Sequence, residues 1–79
     1  MATAVLIGNV ISRFRQNKGL TQEQLSGLAG LDRTHLSKIE RGLRSPTLDT
    51  LFKIASALDI SPHMLVKEVE NERDKINNA

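Results

Sequence analysis

The polar side chains of the segment LDRTHLSKIERG, residues 31–42, have the chemistry to bind an anionic polymer. Its apolar residues are Leu31, Leu36 and Ile39, which form one narrow stripe if the segment is helical. The opposite side then carries hydrogen-bonding ends, on Arg33, Thr34, Ser37, Lys38 and Arg41. Guanidinium, ammonium and hydroxyl groups are the kinds that contact base edges and phosphates. The alternative interpretation is a solvated helix face without a partner.

Other reactive groups are scarce. The chain has no cysteine, which excludes disulfides, thiolate metal sites and a cysteine nucleophile and favours a reducing compartment such as the cytoplasm. Metal binding would depend on His35 and His63 alone. Common hydrolase, nucleotide-binding and metalloprotease motifs are absent from the sequence. We therefore expect no enzyme activity, no cofactor and no small-molecule ligand.

Length and charge indicate one small domain with a basic body. The 79 residues are 39% hydrophobic, and the opening MATAVLIGNVI lacks the basic lead and long apolar core of a signal peptide. We expect no targeting or membrane segment. Residues 1–66 carry eight Lys/Arg against five Asp/Glu, whereas residues 67–79 carry three against four. The basic excess therefore lies in the folded part, where it suits a polyanion.

Apolar spacing and end signals predict the first two helices. Residues 7, 10, 11 and 14 are apolar at i, i+3, i+4 and i+7, and Gly19 ends that helix. Thr21 and Gln24 in the run TQEQL form a capping box for a second helix over residues 22–29.

Similar signals predict three more helices. Asp32 is an N-cap for a third helix that runs through Arg41. The inner face of a fourth helix consists of Leu48, Leu51, Ala55 and Leu58. Ser61 and Pro62 open a fifth helix. The sequence thus predicts an all-α domain of five helices over residues 4–70, followed by a polar tail, residues 71–79, that frays.

The second and third predicted helices are joined by a very short link at Gly30. They cannot lie antiparallel, so they must cross steeply, which is a helix-turn-helix. Ser26 is small enough for the close packing that this crossing requires. The narrow apolar stripe of the third helix is then explained, because its other face is free to bind a hydrated, anionic partner.

The run GLTQEQLSGLAGLDRTHLSKIERGLRSPTLDTLFKIASALDIS resembles the Cro/CI-type (XRE-like) helix-turn-helix family of bacterial and phage transcriptional regulators. The resemblance implies a five-helix, lambda-repressor-like domain that binds double-stranded DNA as a homodimer on a palindromic operator. Because few residues lie outside the domain, the chain looks most like restriction-modification controller proteins. A phage-type repressor and an antitoxin-like repressor are alternatives. A protein-binding adaptor that kept the fold is an alternative of a different class.

The family pattern also implies roles for individual residues. The implied base contacts are Arg33, Thr34, Ser37 and Lys38. The implied phosphate contacts are Gln22, Arg41 and Arg44. Arg15 and Glu40 would form a structural ion pair. Two positions depart from the pattern, since Ser26 stands where Ala is usual and Asp59 stands where Gly is common.

A homodimer needs a surface that the monomer core does not use. Helices one to four use their apolar stripes to close the core, which leaves the fifth helix. We expect Leu65 to point inward. The expected dimer interface is Ile60, Met64, Val66 and Val69, with Phe52 and Ile54 as the next candidates.

Overall fold

The computed structural model of the protein describes residues 2–78 and contains five helices in that range. They are α1 (Thr3–Asn17), α2 (Gln22–Ala29), α3 (Arg33–Glu40), α4 (Leu48–Ala57) and α5 (Pro62–Asn77). The described residues form no strand, and the predicted all-α, five-helix fold is confirmed. None of these helices is both long enough and apolar enough to cross a membrane.

Four helix ends share one backbone geometry. Each of the first four helices is followed by a residue with positive φ, at Gly19, Gly30, Gly42 and Asp59. After α4, the Ile60 amide donates to the Ala55 carbonyl and the Asp59 amide to the Ser56 carbonyl, both at 3.0 Å, which is a Schellman motif. Asp59, with φ of 57°, is the one of these four residues that carries a side chain.

The helix starts agree only partly with the sequence signals. The capping box of α2 is present, since Thr21 Oγ1 accepts from the Gln24 amide at 3.0 Å and Gln24 Oε1 accepts from the Thr21 amide at 2.9 Å. Asp32 and Ser61 occupy the N-cap positions of α3 and α5, but neither side chain makes a capping hydrogen bond. Both residues therefore precede their helices as predicted, but their side chains do not cap the helices.

The core lies where the five helices converge. Its fully buried large side chains are Val10, Ile11, Leu25, Leu36, Ile39, Ile54, Leu58 and Leu65. The placement of Leu48 on the inner face of α4 was wrong, because its side chain is 74% exposed. Leu48 is the first residue of α4 and lies at the rim of the core, which Leu51, one turn later, covers instead.

The expectation of a frayed tail after residue 70 was also wrong. Helix α5 continues to Asn77, while Ala79 lies outside the described residues. Arg13 on α1 donates to Glu72 Oε1 at 2.8 Å, and Lys75 lies 3.6 Å from the same carboxylate. The hydrogen bond from Arg13, followed by the charge of Lys75, lowers the pKa of Glu72. Glu72 is thus paired with α1, and Lys75 is paired with Glu72 along α5 itself.

Helices α1 and α3 touch through their backbones at Gly8. A Cβ at this position would clash with the carbonyl oxygen of Ile39 and would lie 2.7 Å from that of Glu40. Both are backbone atoms at the end of α3, so neither can rotate away. The close approach places the end of α3 directly against α1.

We expect Gly8→Ala to destabilise the domain by about 1–3 kcal/mol, because an added methyl overpacks a rigid backbone contact. Gly27→Ala is the matched control, since Gly27 is also helical and a Cβ added there would meet nothing within 4 Å. That change should raise stability by roughly 0.5–1 kcal/mol through helix propensity. Thermal unfolding of both variants measures the difference, and equal melting temperatures would contradict the close approach.

We expect Asp59→Gly to stabilise the domain by about 0.5–1 kcal/mol, because glycine removes the strain of a left-handed residue and a carboxylate from the negative end of α4. Asp59→Asn removes the charge but keeps the Cβ, so it should recover only part of the gain. Chemical denaturation compares the three proteins. A loss of stability in Asp59→Gly would show that the carboxylate has a stabilising partner.

Candidate nucleic-acid interface

Helices α2 and α3 form the helix-turn-helix. Gly30 adopts φ of 68° at the corner, and the Leu31 amide donates to the Ser26 carbonyl at 2.8 Å. Ser26 is buried, and its hydroxyl donates to the Glu23 carbonyl at 3.0 Å, so its polar atom is satisfied inside the close contact. The turn fixes the direction of α3 relative to the rest of the domain.

The outward face of α3 carries the predicted base-contacting residues. Arg33 and Thr34 are exposed in its first turn, and Ser37 and Lys38 are partly buried one turn later. Neither Arg33 nor Lys38 makes a salt bridge with any residue in the range 2–78. Two unpaired cations and two hydroxyl groups therefore share one surface.

The predicted phosphate-contacting arginines follow α3. Arg41 is exposed at the C-cap, and its Nε donates weakly to the Ser37 carbonyl at 3.4 Å. Arg44 is exposed in the loop that leads to α4.

His35 is partly buried on α3, and the described residues contain no group of three or more His, Cys, Asp or Glu side chains arranged to hold a metal ion.

Arg15 and Glu40 form a bidentate ion pair between α1 and the end of α3. Arg15 Nε lies 2.8 Å from Glu40 Oε2, and Arg15 Nη2 lies 3.0 Å from Oε1. Only 13% of the arginine side chain and 4% of the glutamate side chain are exposed. Arg15 Nη1 also donates to the Leu20 carbonyl at 2.7 Å. The pair thus joins α1, the turn before α2 and the end of α3.

Gln22 has a contact that the sequence did not predict. It is the first residue of α2, and its Nε2 donates to Glu40 Oε1 at 3.2 Å. Gln22 and Glu40 are 18 residues apart and lie on different helices, so no spacing pattern in the sequence predicts this hydrogen bond. Gln22 therefore belongs to the same polar network as the ion pair.

The predicted dimer residues fall into two groups. Ile60 and Val69 are partly buried and pack against the core, whereas Met64 and Val66 are 38% and 44% exposed. Ile54 was a wrong candidate, because it is completely buried as part of the core stripe of α4.

The exposure of Leu48 adds apolar surface that the sequence did not predict. Leu48 lines one groove with Phe52, Pro62 and Val66, and Phe52 is 57% exposed. A neighbouring apolar groove of about 320 Å³ opens between α1, α4 and α5. The exposed apolar surface therefore extends from α5 onto α4.

Comparison with known proteins agrees with this geometry. A family model described as helix-turn-helix matches residues 11–65, more than half of the chain. An uncharacterized HTH-type transcriptional regulator of Sinorhizobium fredii is 44% identical over 61 residues, covering 77% of this chain and 79% of the relative. The chain belongs to the helix-turn-helix family of transcriptional regulators.

Two controller proteins are among the relatives of this helix-turn-helix chain. Control protein C.SmaI of Serratia marcescens is 41% identical over 71 residues, covering 87% of this chain and 83% of the relative. The crystal structure of the restriction-modification controller protein C.AhdI of Aeromonas hydrophila superposes with a TM-score of 0.80. It is 43% identical and covers 82% of this chain and 98% of that one.

We expect Glu40→Gln to destabilise the domain by about 3 kcal/mol, because it leaves the buried guanidinium of Arg15 without its counter-charge. Asp49→Asn is the control, since Asp49 forms an exposed pair with Lys53 at 3.4 Å. Breaking that pair should cost less than about 1 kcal/mol. Urea unfolding of both variants provides the comparison. Equal losses would mean that burial does not strengthen the Arg15–Glu40 pair.

Proposed function

We propose that the protein is a sequence-specific, DNA-binding regulator of transcription that acts as a homodimer on a palindromic operator. The observation that carries this proposal is the outward face of α3. Arg33 and Lys38 lie next to Thr34 and Ser37 on this face, and neither cation forms a salt bridge with any described residue. A steeply crossed helix with such a face can enter the major groove. The protein acts in the cytoplasm by binding rather than by catalysis.

The position of each side chain supports a distinct role. Arg33 lies at the first residue of α3, where a recognition helix approaches the bases, and its guanidinium matches the two acceptors of guanine. Thr34, Ser37 and Lys38 extend this base-contacting surface. Arg41, Arg44 and the amide end of α2 at Gln22 surround it and suit phosphates.

A restriction-modification controller is the specific regulator that we favour. The support is the likeness to C.SmaI and C.AhdI, because the chain spans most of the length of both. The neighbouring gene tests this choice. A methyltransferase or restriction enzyme gene beside it agrees with the proposal, whereas a small toxin gene would favour an antitoxin-like repressor.

The dimer surface that we propose centres on exposed apolar residues of α4 and α5. Met64 and Val66, predicted from sequence, are both exposed on α5, and Val66 lines one groove with Leu48 and Phe52. Ile60 and Val69, also predicted from sequence, are partly buried and pack against the core. One helix-turn-helix reads few base pairs, so two copies must hold their reading helices about 34 Å apart along the DNA. A small apolar surface gives a dimer that dissociates on dilution.

We expect Arg33→Ala to cost about 1–3 kcal/mol in operator binding and Arg41→Ala to weaken binding with a different signature. Loss of a base contact at Arg33 should relax the preference at one position. Loss of a phosphate contact at Arg41 should weaken all sequences alike and reduce the salt slope by about one. Binding is measured at several salt concentrations on a duplex enriched from random DNA and on a scrambled duplex.

Equal losses on both duplexes for Arg33→Ala would reject its role as a base reader. If the unaltered protein binds neither duplex at low salt, the result would favour the protein-binding adaptor over a DNA-binding regulator.

We expect Val66→Asp to produce a monomer with much weaker operator binding, because a charge at the centre of an apolar interface must be desolvated without a partner. Val66 is exposed, so the fold should survive the change. Asn71→Asp adds the same charge on another exposed position of α5 and should leave the dimer intact. Sedimentation measures both. A dimeric Val66→Asp variant would place the interface elsewhere.

A further inference from the structure

Glu40 has more hydrogen-bond partners than an ion pair with Arg15 requires. Its Oε2 accepts one bond from Arg15, and its Oε1 accepts a second from Arg15 and a third from Gln22 Nε2 at 3.2 Å. The carboxylate is nearly completely buried, whereas Gln22 is partly exposed at the first position of α2. Gln22 therefore connects a buried anion to the protein surface.

The side-chain amide of glutamine has two different ends. Its nitrogen carries two donor hydrogens and its oxygen only accepts, so the amide can bind a phosphate through the nitrogen but not through the oxygen. A carboxylate has no hydrogen to donate, so Glu40 can bond only the nitrogen end of Gln22. Glu40 thus orients the side-chain amide of Gln22 with its nitrogen toward the carboxylate. One of the two hydrogens on that nitrogen remains available for another acceptor.

Charge does not prevent a phosphate from approaching this network. A lone carboxylate below the surface would repel a phosphate, but two hydrogen bonds from Arg15 neutralise Glu40. The Gln22 amide is neutral and lies at the positive end of α2, where backbone amides also favour an anion. The surroundings of the free amide hydrogen therefore suit a phosphate.

We propose that Glu40 is a positioning residue for DNA binding, which holds the Gln22 amide by one hydrogen so that its other hydrogen bonds a phosphate oxygen. This inference rests on the proposed function, since it requires that the protein bind duplex DNA. It assigns to the buried ion pair a part in recognition besides its part in stability. The contact is neutral, so its loss weakens binding without changing the salt slope.

The experiment is a cycle of variants measured on the operator duplex enriched from random DNA. Arg15→Met with Glu40→Met replaces the buried pair by apolar side chains of similar size, which often preserves stability. This replacement is made with Gln22 present and again with Gln22→Ala. Circular dichroism at the temperature of the binding assay shows that each variant is folded. Binding of the unaltered protein tests the proposed function separately.

With Gln22 present, we expect replacement of the pair to weaken operator binding about tenfold, the usual size for a hydrogen bond to a charged group. In the Gln22→Ala background, the same replacement should change binding less than about twofold, because the residue through which Glu40 acts is gone. A loss of equal size in both backgrounds would show that the pair acts only on the fold. No loss in either background, or none from Gln22→Ala alone, would overturn the proposal.

Gln22→Asn provides a test that leaves the ion pair untouched. Its side chain is one methylene shorter, so it cannot reach Glu40 and a phosphate together, and binding should fall about as far as in Gln22→Ala with an unchanged salt slope. Gln24→Ala is the control, because it removes the capping box of the same helix without touching Glu40. Full operator affinity in Gln22→Asn would also overturn the proposal.

Discussion

The buried pair of Arg15 and Glu40 is the interaction on which the rest of the structure depends. It joins α1 to the end of α3, and through the Leu20 carbonyl and the Gln22 amide it also holds the start of α2. Both charges are almost removed from solvent, so neither can be left alone without a large cost. The pair therefore adds specific polar contacts to the apolar packing that holds the helix-turn-helix against α1.

Small side chains allow the helices to approach closely enough for this network. Gly8 lets the carbonyl ends of α3 lie against α1, and Ser26 fits inside the crossing of α2 and α3 with its hydroxyl satisfied. These contacts use the apolar side of α3 completely, since Leu36 and Ile39 are fully buried. The polar side is consequently left as a rigid surface, which is the property that groove recognition requires.

Sequence signals predicted what depends on neighbouring residues along the chain. The capping box at Thr21 and the end of α1 at Gly19 follow from local chemistry, and both are present. Signals failed where tertiary contacts decide. Leu48 has the right spacing for the core but lies at its rim, and the polar end of α5 is helical and pairs through Glu72 with Arg13, 59 residues away. The bond between Gln22 and Glu40 had no signal, because no periodicity relates residues on different helices.

Methylation interference on the operator duplex tests the central claim, that two copies of α3 read the major groove. Dimethyl sulfate modifies guanine at N7 in the major groove and adenine at N3 in the minor groove, and these are the acceptors exposed in each groove. The account predicts interference at guanines in two symmetric positions, roughly 10 base pairs apart. Interference confined to adenines, or to guanines at a single position, would contradict it.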